Sequence, residues 1–283
     1  MMNNRQFLVD QLIDIAITED IGDGDHTSLA CIPVNTTGKA QLLVKENGII
    51  AGIELAKLIF NKIDNSLVFT QCLKDGDIIK QGDIAFYVKG SSQSILKAER
   101  LVLNFMQRMS GIATKTHEYV QLINDLPTKI LDTRKTTPGN RIIEKWAVQI
   151  GGGINHRMGL YDMIMIKDNH IDYAGGIENA INKTVEYLDR NNKLIKIEIE
   201  ARNLNELDQI LKVGKIHRIM LDNFSFEDMK KAVVMIDGKY ETEASGGITQ
   251  ETLREYAKCG VDFISIGALT HQIKSLDLSL KAI

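Results

Sequence analysis

A chain of 283 residues with 44% hydrophobic and 25% charged side chains is long enough to bury a full core, which excludes a disordered profile and leaves one α/β barrel or two smaller domains. Its 34 Lys and Arg against 37 Asp and Glu give a net charge of −3, so no global positive field can hold a nucleic-acid backbone and any anion site must be local. Cys31, Cys72 and Cys259 are odd in number and in no C-x-x-C spacing, which argues against a disulfide framework or a zinc site and for a reduced, cytoplasmic setting.

The opening MMNNRQFLVDQLIDIAITED reads as an amphipathic helix without the apolar core and cleavage site of a secretory signal. No apolar run approaches the ~20 residues of a membrane span. Short β-like runs follow, KAQLLVKENGIIAG and DIIKQGDIAFYVKG, punctuated by Asn-Gly, Asp-Gly and Gln-Gly turns that predict hairpins in an α+β module. SSQSILKAERLVLNFMQRMSGIA carries Ile95, Leu96, Leu101, Val102, Phe105, Met106 and Met109 at helical spacing, which predicts a long connecting helix behind capping serines.

Beyond it the rhythm changes. TKILDTRK, DMIMIKDNH, IKIEIEAR, HRIMLDNF, YETEASGG and VDFISIGA are six apolar runs ending in polar or glycine residues, three of the intervals between their ends being about 22 residues. Amphipathic stretches such as NLNELDQILKVG and QETLREYAKCG separate them. The pattern is a βα repeat whose right-handed crossovers bring every C-terminal strand end to one mouth. Six strands fall short of the usual eight, so the expectation is an incomplete barrel with its open side covered by something else. The predicted boundaries are an N-terminal α/β sandwich-like domain over 1–112, an incomplete six-stranded β/α barrel over 113–270, and a C-terminal segment, 271–283, returning to the first domain.

The strand ends are sorted by charge: Arg134 and Lys135, then Lys167, Glu200, Asp222, Ser245-Gly246-Gly247 and Gly267-Ala268. Ser-Gly-Gly and Ile-Gly-Ala, each directly before a helical pattern, would leave helix N-terminal amides open to a phosphate; glycines that merely permit a tight turn are the other reading. In KIEIEAR, alternation puts Glu198 and Glu200 on one face of a strand, where an uncompensated carboxylate is costly. Glu200 and Asp222 offer hard oxygens suited to Mg²⁺ carried on a substrate's phosphates, or they pair with Lys135, Lys167 or Arg202 for structure. Arg134, Lys135, His156, Arg157 and Lys167 form a basic set in which arginine forks suit carboxylates and lysines suit phosphate. Together these residues describe a site for a sugar phosphate bearing a Mg²⁺-bound pyrophosphate, beside a second substrate with more than one carboxylate.

DTRKTTPGNRIIEKWAVQIGGGINHRMGLYDMIMIKDNHI closely resembles the signature block of the quinolinate phosphoribosyltransferase family, also called nicotinate-nucleotide pyrophosphorylase (carboxylating). AERLVLNFMQRMSGIAT, IEIEAR, MLDNF, EASGGI and SIGALTH extend the resemblance from about residue 18 to 275. It implies conversion of quinolinate and phosphoribosyl pyrophosphate to nicotinate mononucleotide, pyrophosphate and carbon dioxide in NAD biosynthesis, with Mg²⁺. It also implies a homodimer, or a hexamer built from such dimers, in which Arg100 reaches a neighbouring site. Position by position, Arg134, His156, Arg157 and Lys167 match quinolinate-binding residues. Lys135, Glu200 and Asp222 match those around ribose, pyrophosphate and metal and form the catalytic set, and Thr133 counts with the substrate-binding residues. Ser245, Gly246, Gly247, Ile266, Gly267, Ala268 and His271 match the phosphate end.

Asp23, Asp25 and His26 in DIGDGDHTS also resemble the family, although a loop that merely uses Asp and Gly for turns is the safer explanation, and Trp146 reads as a packing residue. Three rivals are weaker. A ModD-type phosphoribosyltransferase would keep the phosphate end and alter the dicarboxylate pocket. A barrel aldolase would need a desolvated lysine that does not stand out. The hairpins resemble a lipoyl or biotin carrier but lack its displayed lysine.

Overall fold

The structure, a computed structural model, describes residues 2–283, with side chains from Arg5 onward. In chain order its elements are α1 (Met2–Ile21), α2 (His26–Cys31), β1 (Thr37–Val44), β2 (Gly48–Ile49), α3 (Ile53–Ile63), β3 (Val68–Gln71), β4 (Ile78–Ile79), β5 (Ile84–Ser91) and α4 (Ser92–Leu122). Then come β6 (Lys129–Leu131), α5 (Arg141–Ile150), β7 (Ile164–Ile166), α6 (Asp168–Ala174), α7 (Ile177–Arg190), β8 (Ile197–Ala201), α8 (Leu204–Val213), β9 (Arg218–Asp222) and α9 (Phe226–Ile236). The last are β10 (Glu241–Ser245), α10 (Gln250–Ala257), β11 (Phe263–Ser265), α11 (Ala268–His271) and β12 (Leu278–Ala282). They form two compact units, one of Met1–His117, Thr136–Gly152 and Ala268–Ile283, the other of Glu118–Lys135 and Gly153–Gly267.

The first unit is built on a four-stranded sheet in the order β12-β1-β5-β3. All three of its ladders are antiparallel, and Phe60 of α3 packs edge-on to Phe86 of β5 with ring centroids 5.9 Å apart. The hairpins expected from the turn residues do not form. β1 pairs with β5 and β12, while β2 pairs with β4. The turns themselves exist, with Asp77 accepting from the Lys74 N–H at 2.7 Å and Asp83 from the Lys80 N–H at 2.8 Å. Burial of alternate residues along β1, and of Phe86 and Val88 in β5, chose distant partners over near ones, because register follows the apolar face.

The second unit holds a six-stranded sheet in the order β6-β11-β10-β9-β8-β7. Every ladder in it is parallel, and no hydrogen bonds join β6 to β7, so the barrel is incomplete as the six-run pattern predicts. Strands covered on both faces need near-continuous burial, and β8 is buried at all five positions. Local caps start the intervening helices: Asn203 accepts from the Asn205 and Glu206 amides, each at 3.0 Å, to begin α8, and Ser225 accepts from Asp228 at 3.1 Å to begin α9. Among the described residues, no helix is long and apolar enough to cross a membrane.

Candidate active site

Because the six strands run parallel, their C-terminal ends lie at one end of the second unit. Thr133, Arg134 and Lys135 come just after β6, Lys167 directly follows β7 as the N-cap of α6, Glu200 lies next to last in β8, Asp222 ends β9 and Ser245 ends β10. Ile266 extends β11 by donating its N–H to the Leu131 carbonyl at 3.0 Å, with Gly267 next. Arg100, in α4 and exposed, and Ala268 and His271, in α11, belong to the first unit.

The mouth residues act on one another electrostatically. Lys167 Nζ lies 2.7 Å from Glu200 Oε1, and the Asp168 N–H reaches Glu200 Oε2 at 3.4 Å. Asp222 holds its proton more tightly than an ordinary aspartate, first because it is partly buried and next because Glu200's charge is near, with Asn223 and Lys167 opposing. The buried Arg157 gives Nη1 to the Met163 carbonyl at 3.2 Å. Its guanidinium is pushed below the usual arginine range by burial and then by the like charge of Arg134, while Glu198 and Glu200 pull it back. Two guanidinium groups and two carboxylates are thus each crowded by their own kind, an arrangement that a bound anion and a bound cation would relieve together. Glu200 and Asp222 supply hard carboxylate oxygens and no histidine or cysteine stands at their strand ends, a donor set that fits Mg²⁺.

One layer deeper lies a buried network. His156 Nε2 sits 2.9 Å from Glu198 and 3.3 Å from Glu243. Arg218 Nη1 reaches Glu243 at 3.1 Å, its Nη2 reaches Glu241 at 3.0 Å, and its guanidinium lies 4.1 Å over the Phe263 ring. Asp132 places the histidine by accepting its backbone N–H at 2.8 Å and takes the Asn155 amide at 2.6 Å. Burial works against charge on the imidazole, but the two carboxylates prevail and raise it to about 9. Burial and then Glu243 raise Glu198 to about 7, whereas Glu243 is lowered because His156 and Arg218 outweigh its own burial. The Arg157 N–H lies 2.7 Å from Nδ1, an arrangement that turns Nε2 toward the two carboxylates. His156, Glu198 and Glu243 have the spacing of a metal triad, yet the ring proton and Arg218 already supply the positive charge that a metal would bring.

Several sequence expectations take a different form. The hydroxyls of LDTRKTTPGNR accept hydrogen bonds within the chain: Thr133 from the Lys135 N–H at 3.0 Å, Thr136 from Arg141 at 3.0 Å and Thr137 from Arg108 at 2.8 Å. The Ser-Gly-Gly turn is not itself a helix N-terminus, because Gly246 (φ 100°) and Gly247 (φ 58°) turn the chain before Thr249 caps α10. Asp25 caps α2 through the Ser28 N–H at 3.1 Å and also meets the Ser28 hydroxyl, so it serves a turn. Trp146 lies under the Arg5 guanidinium at 4.1 Å. The reading of the sequence missed Asp132, Arg218, Asn223 and Glu243. A signal for Glu243 was present, since YETEAS carries the same Glu-x-Glu alternation as KIEIEA.

Family models described as quinolinate phosphoribosyl transferase match residues 25–110 (N-terminal domain) and 112–281 (C-terminal domain). The chain is 47% identical over 285 residues to quinolinate phosphoribosyltransferase [decarboxylating] 1b of Nicotiana tabacum, covering 95% of this chain and 81% of that one. It is 40% identical over 279 residues to the probable nicotinate-nucleotide pyrophosphorylase [carboxylating] of Bacillus subtilis, covering 99% and 94%. Its fold matches the crystal structure of NadC from Streptococcus pyogenes with a TM-score of 0.92 at 37% identity, covering 98% of each chain.

Proposed function

The chain belongs to the quinolinate phosphoribosyltransferase family, and from that membership we infer its activity: it is a decarboxylating phosphoribosyltransferase that converts quinolinate and phosphoribosyl pyrophosphate to nicotinate mononucleotide, pyrophosphate and carbon dioxide in NAD biosynthesis. The observation that carries the assignment to this mouth is the delivery of Lys167, Glu200 and Asp222 to the ends of neighbouring parallel strands, with Lys167 Nζ 2.7 Å from Glu200, where Arg134 acts on Arg157 and Glu200 on Asp222 as like charges. A dicarboxylate relieves the first crowding and a metal-bound pyrophosphate the second.

In this reading Arg134 and Arg157 clamp the carboxylates of quinolinate with bidentate forks, and Lys167 adds charge from its place beside Glu200. His156 enters the quinolinate set through Arg157, whose backbone it holds. The clamp aims the pyridine nitrogen at C1′ of the ribose, an orientation effect worth ~7 kcal/mol or more where the geometry is good. Lys135 meets the charge that develops on departing pyrophosphate, and Glu200 and Asp222 hold the ribose hydroxyls through an oxocarbenium-like state. Glu200 and Asp222 would also hold Mg²⁺, which when bound neutralises pyrophosphate charge. Ser245, Gly246, Gly247, Ile266 and Gly267 take the 5′-phosphate. No side-chain nucleophile is required. Decarboxylation follows N-ribosylation, because the cationic pyridinium accepts the electrons left behind.

The functional unit is a homodimer, alone or within a hexamer, with Arg100 lent to the site of a second copy; its exposure on α4 suits that role. The reduced-cysteine pattern supports a cytoplasmic setting, while plant relatives include chloroplastic and mitochondrial forms. Mixing the protein with phosphoribosyl pyrophosphate, Mg²⁺ and quinolinate should yield carbon dioxide and nicotinate mononucleotide. Folded protein that yields neither, or that prefers nicotinate in a parallel assay, overturns the reading.

A further inference from the structure

We propose that Asn223 is a positioning residue for this reaction, its side-chain amide aiming the Asp222 carboxylate at phosphoribosyl pyrophosphate. The inference rests on the role given to Asp222 above.

Four non-glycine residues among those described have positive φ: Asn192, Lys215, Asn223 and Asp237. Asn192, Lys215 and Asp237 follow the helices α7, α8 and α9, where such residues close a helix. Asn223, at φ 57°, follows a strand instead, directly after Asp222 at the mouth. The left-handed region is strained for an L-amino acid, and Asn is among the few side chains that visit it routinely. Where such strain occurs outside helix ends, it gathers at functional sites.

The conformation has three results. The Asn223 N–H donates to the Ser245 carbonyl at 2.9 Å, continuing the contact between β9 and β10 past the last strand residue. Its side chain turns back so that Nδ2 donates to Asp222 Oδ2 at 2.7 Å. Its Cγ lies 2.6 Å from where a Cβ on Gly246 would stand, and its Oδ1 lies closer still. Glycine at 246 therefore makes the seat for the amide, and the seat keeps the amide from rotating off the carboxylate. Aspartate at 223 would put an acceptor where the donor is needed. Glycine would keep the backbone and lose the donor.

Those two replacements make the test. Asn223→Gly and Asn223→Asp both tolerate the left-handed backbone, so each should melt within ~2 °C of the parent protein. Losing a partner that orients a ligand typically costs 10- to 100-fold. Each variant should therefore bind phosphoribosyl pyrophosphate at least ~10-fold more weakly by metal-free calorimetry and show the same loss in kcat/KM for that substrate. Quinolinate affinity should stay within about twofold. Combined with Asp222→Asn, Asn223→Gly should add no further loss, since residues that act through one another are non-additive. Unchanged phosphoribosyl pyrophosphate affinity in both single variants, or a full additive loss in the double variant, overturns the proposal. An Asp222→Asn protein with full activity removes the role of Asp222 itself, a separate failure read from that variant alone.

Discussion

Glu200 and Glu198 lie two residues apart on one strand face and are both buried, yet their neighbours differ. Glu200 stands at the mouth beside a lysine that is 45% exposed, with Asp222 near enough to repel it. Glu198 is fully buried in a network with His156 and Glu243. The same contrast repeats on β10, where Ser245 reaches the mouth and Glu243 the interior. The upper layer sets like charges near one another at the strand ends, which suits a ligand; the lower layer sets Glu198 and Glu243 against His156 and Arg218. Depth along the strand, more than residue type, separates chemistry from architecture.

The largest expected effect tests the upper layer. Asp222→Asn should lower kcat/KM by ~100-fold or more, on the scale of removing one preorganised electrostatic group. Its melting temperature should hold or rise, because the crowding with Glu200 is relieved. A variant that loses stability along with activity would place Asp222 in the architectural layer. Next in size, Glu243→Ala removes one partner from a buried charge network, a loss of about 3–5 kcal/mol, read as a fall of ~6 °C or more in thermal melting. Protein that remains folded should keep its KM for phosphoribosyl pyrophosphate.

A smaller effect concerns pH. The folded values for Glu198, about 7, and His156, about 9, both lie above the ordinary 4.5 and 6.5. A raised group contributes stability that is fully present below its ordinary value and lost as pH rises through the folded value. As coupled groups they lose protons as a set, so the melting temperature should fall between about pH 4.5 and 9, Glu198's share being lost by about 7 and His156's between about 6.5 and 9. Removing the network with Glu243→Ala should flatten that slope, and an unflattened slope would assign it elsewhere. The smallest effect is a control: Arg254 forks onto Asp125 at 2.7 and 2.6 Å on the exposed surface. Arg254→Ala should barely move the melting temperature despite its better geometry, because solvent screens an exposed pair; a loss as large as that of Glu243→Ala would break the rule of depth.

The mouth was legible because Lys167, Glu200, Asp222 and Ser245 each sit at or near the end of an apolar run, and parallel strands deliver those ends together. The lower layer was less legible. Alternation puts Glu198 on a face, but only the register Glu198↔Arg218↔Glu241 and the approach of His156 from another segment reveal its neighbours. Asn223 was invisible as more than part of a motif, since its role depends on a backbone angle. The misread hairpins have a related cause: Gly-containing turns announce that the chain bends and leave open which strand it then meets.

That meeting has a consequence for synthesis. β1 is flanked by β5, made soon after it, and by β12, with Leu42 opposite Leu280 and Ala40 opposite Ala282. On the ribosome the first sheet must therefore wait, one edge unpaired, while the whole parallel barrel emerges between its two halves. An exposed edge of this kind invites pairing with another nascent chain. Slow translation through the barrel, or a truncation before Leu278, would reveal itself as aggregation rather than as a weakened enzyme.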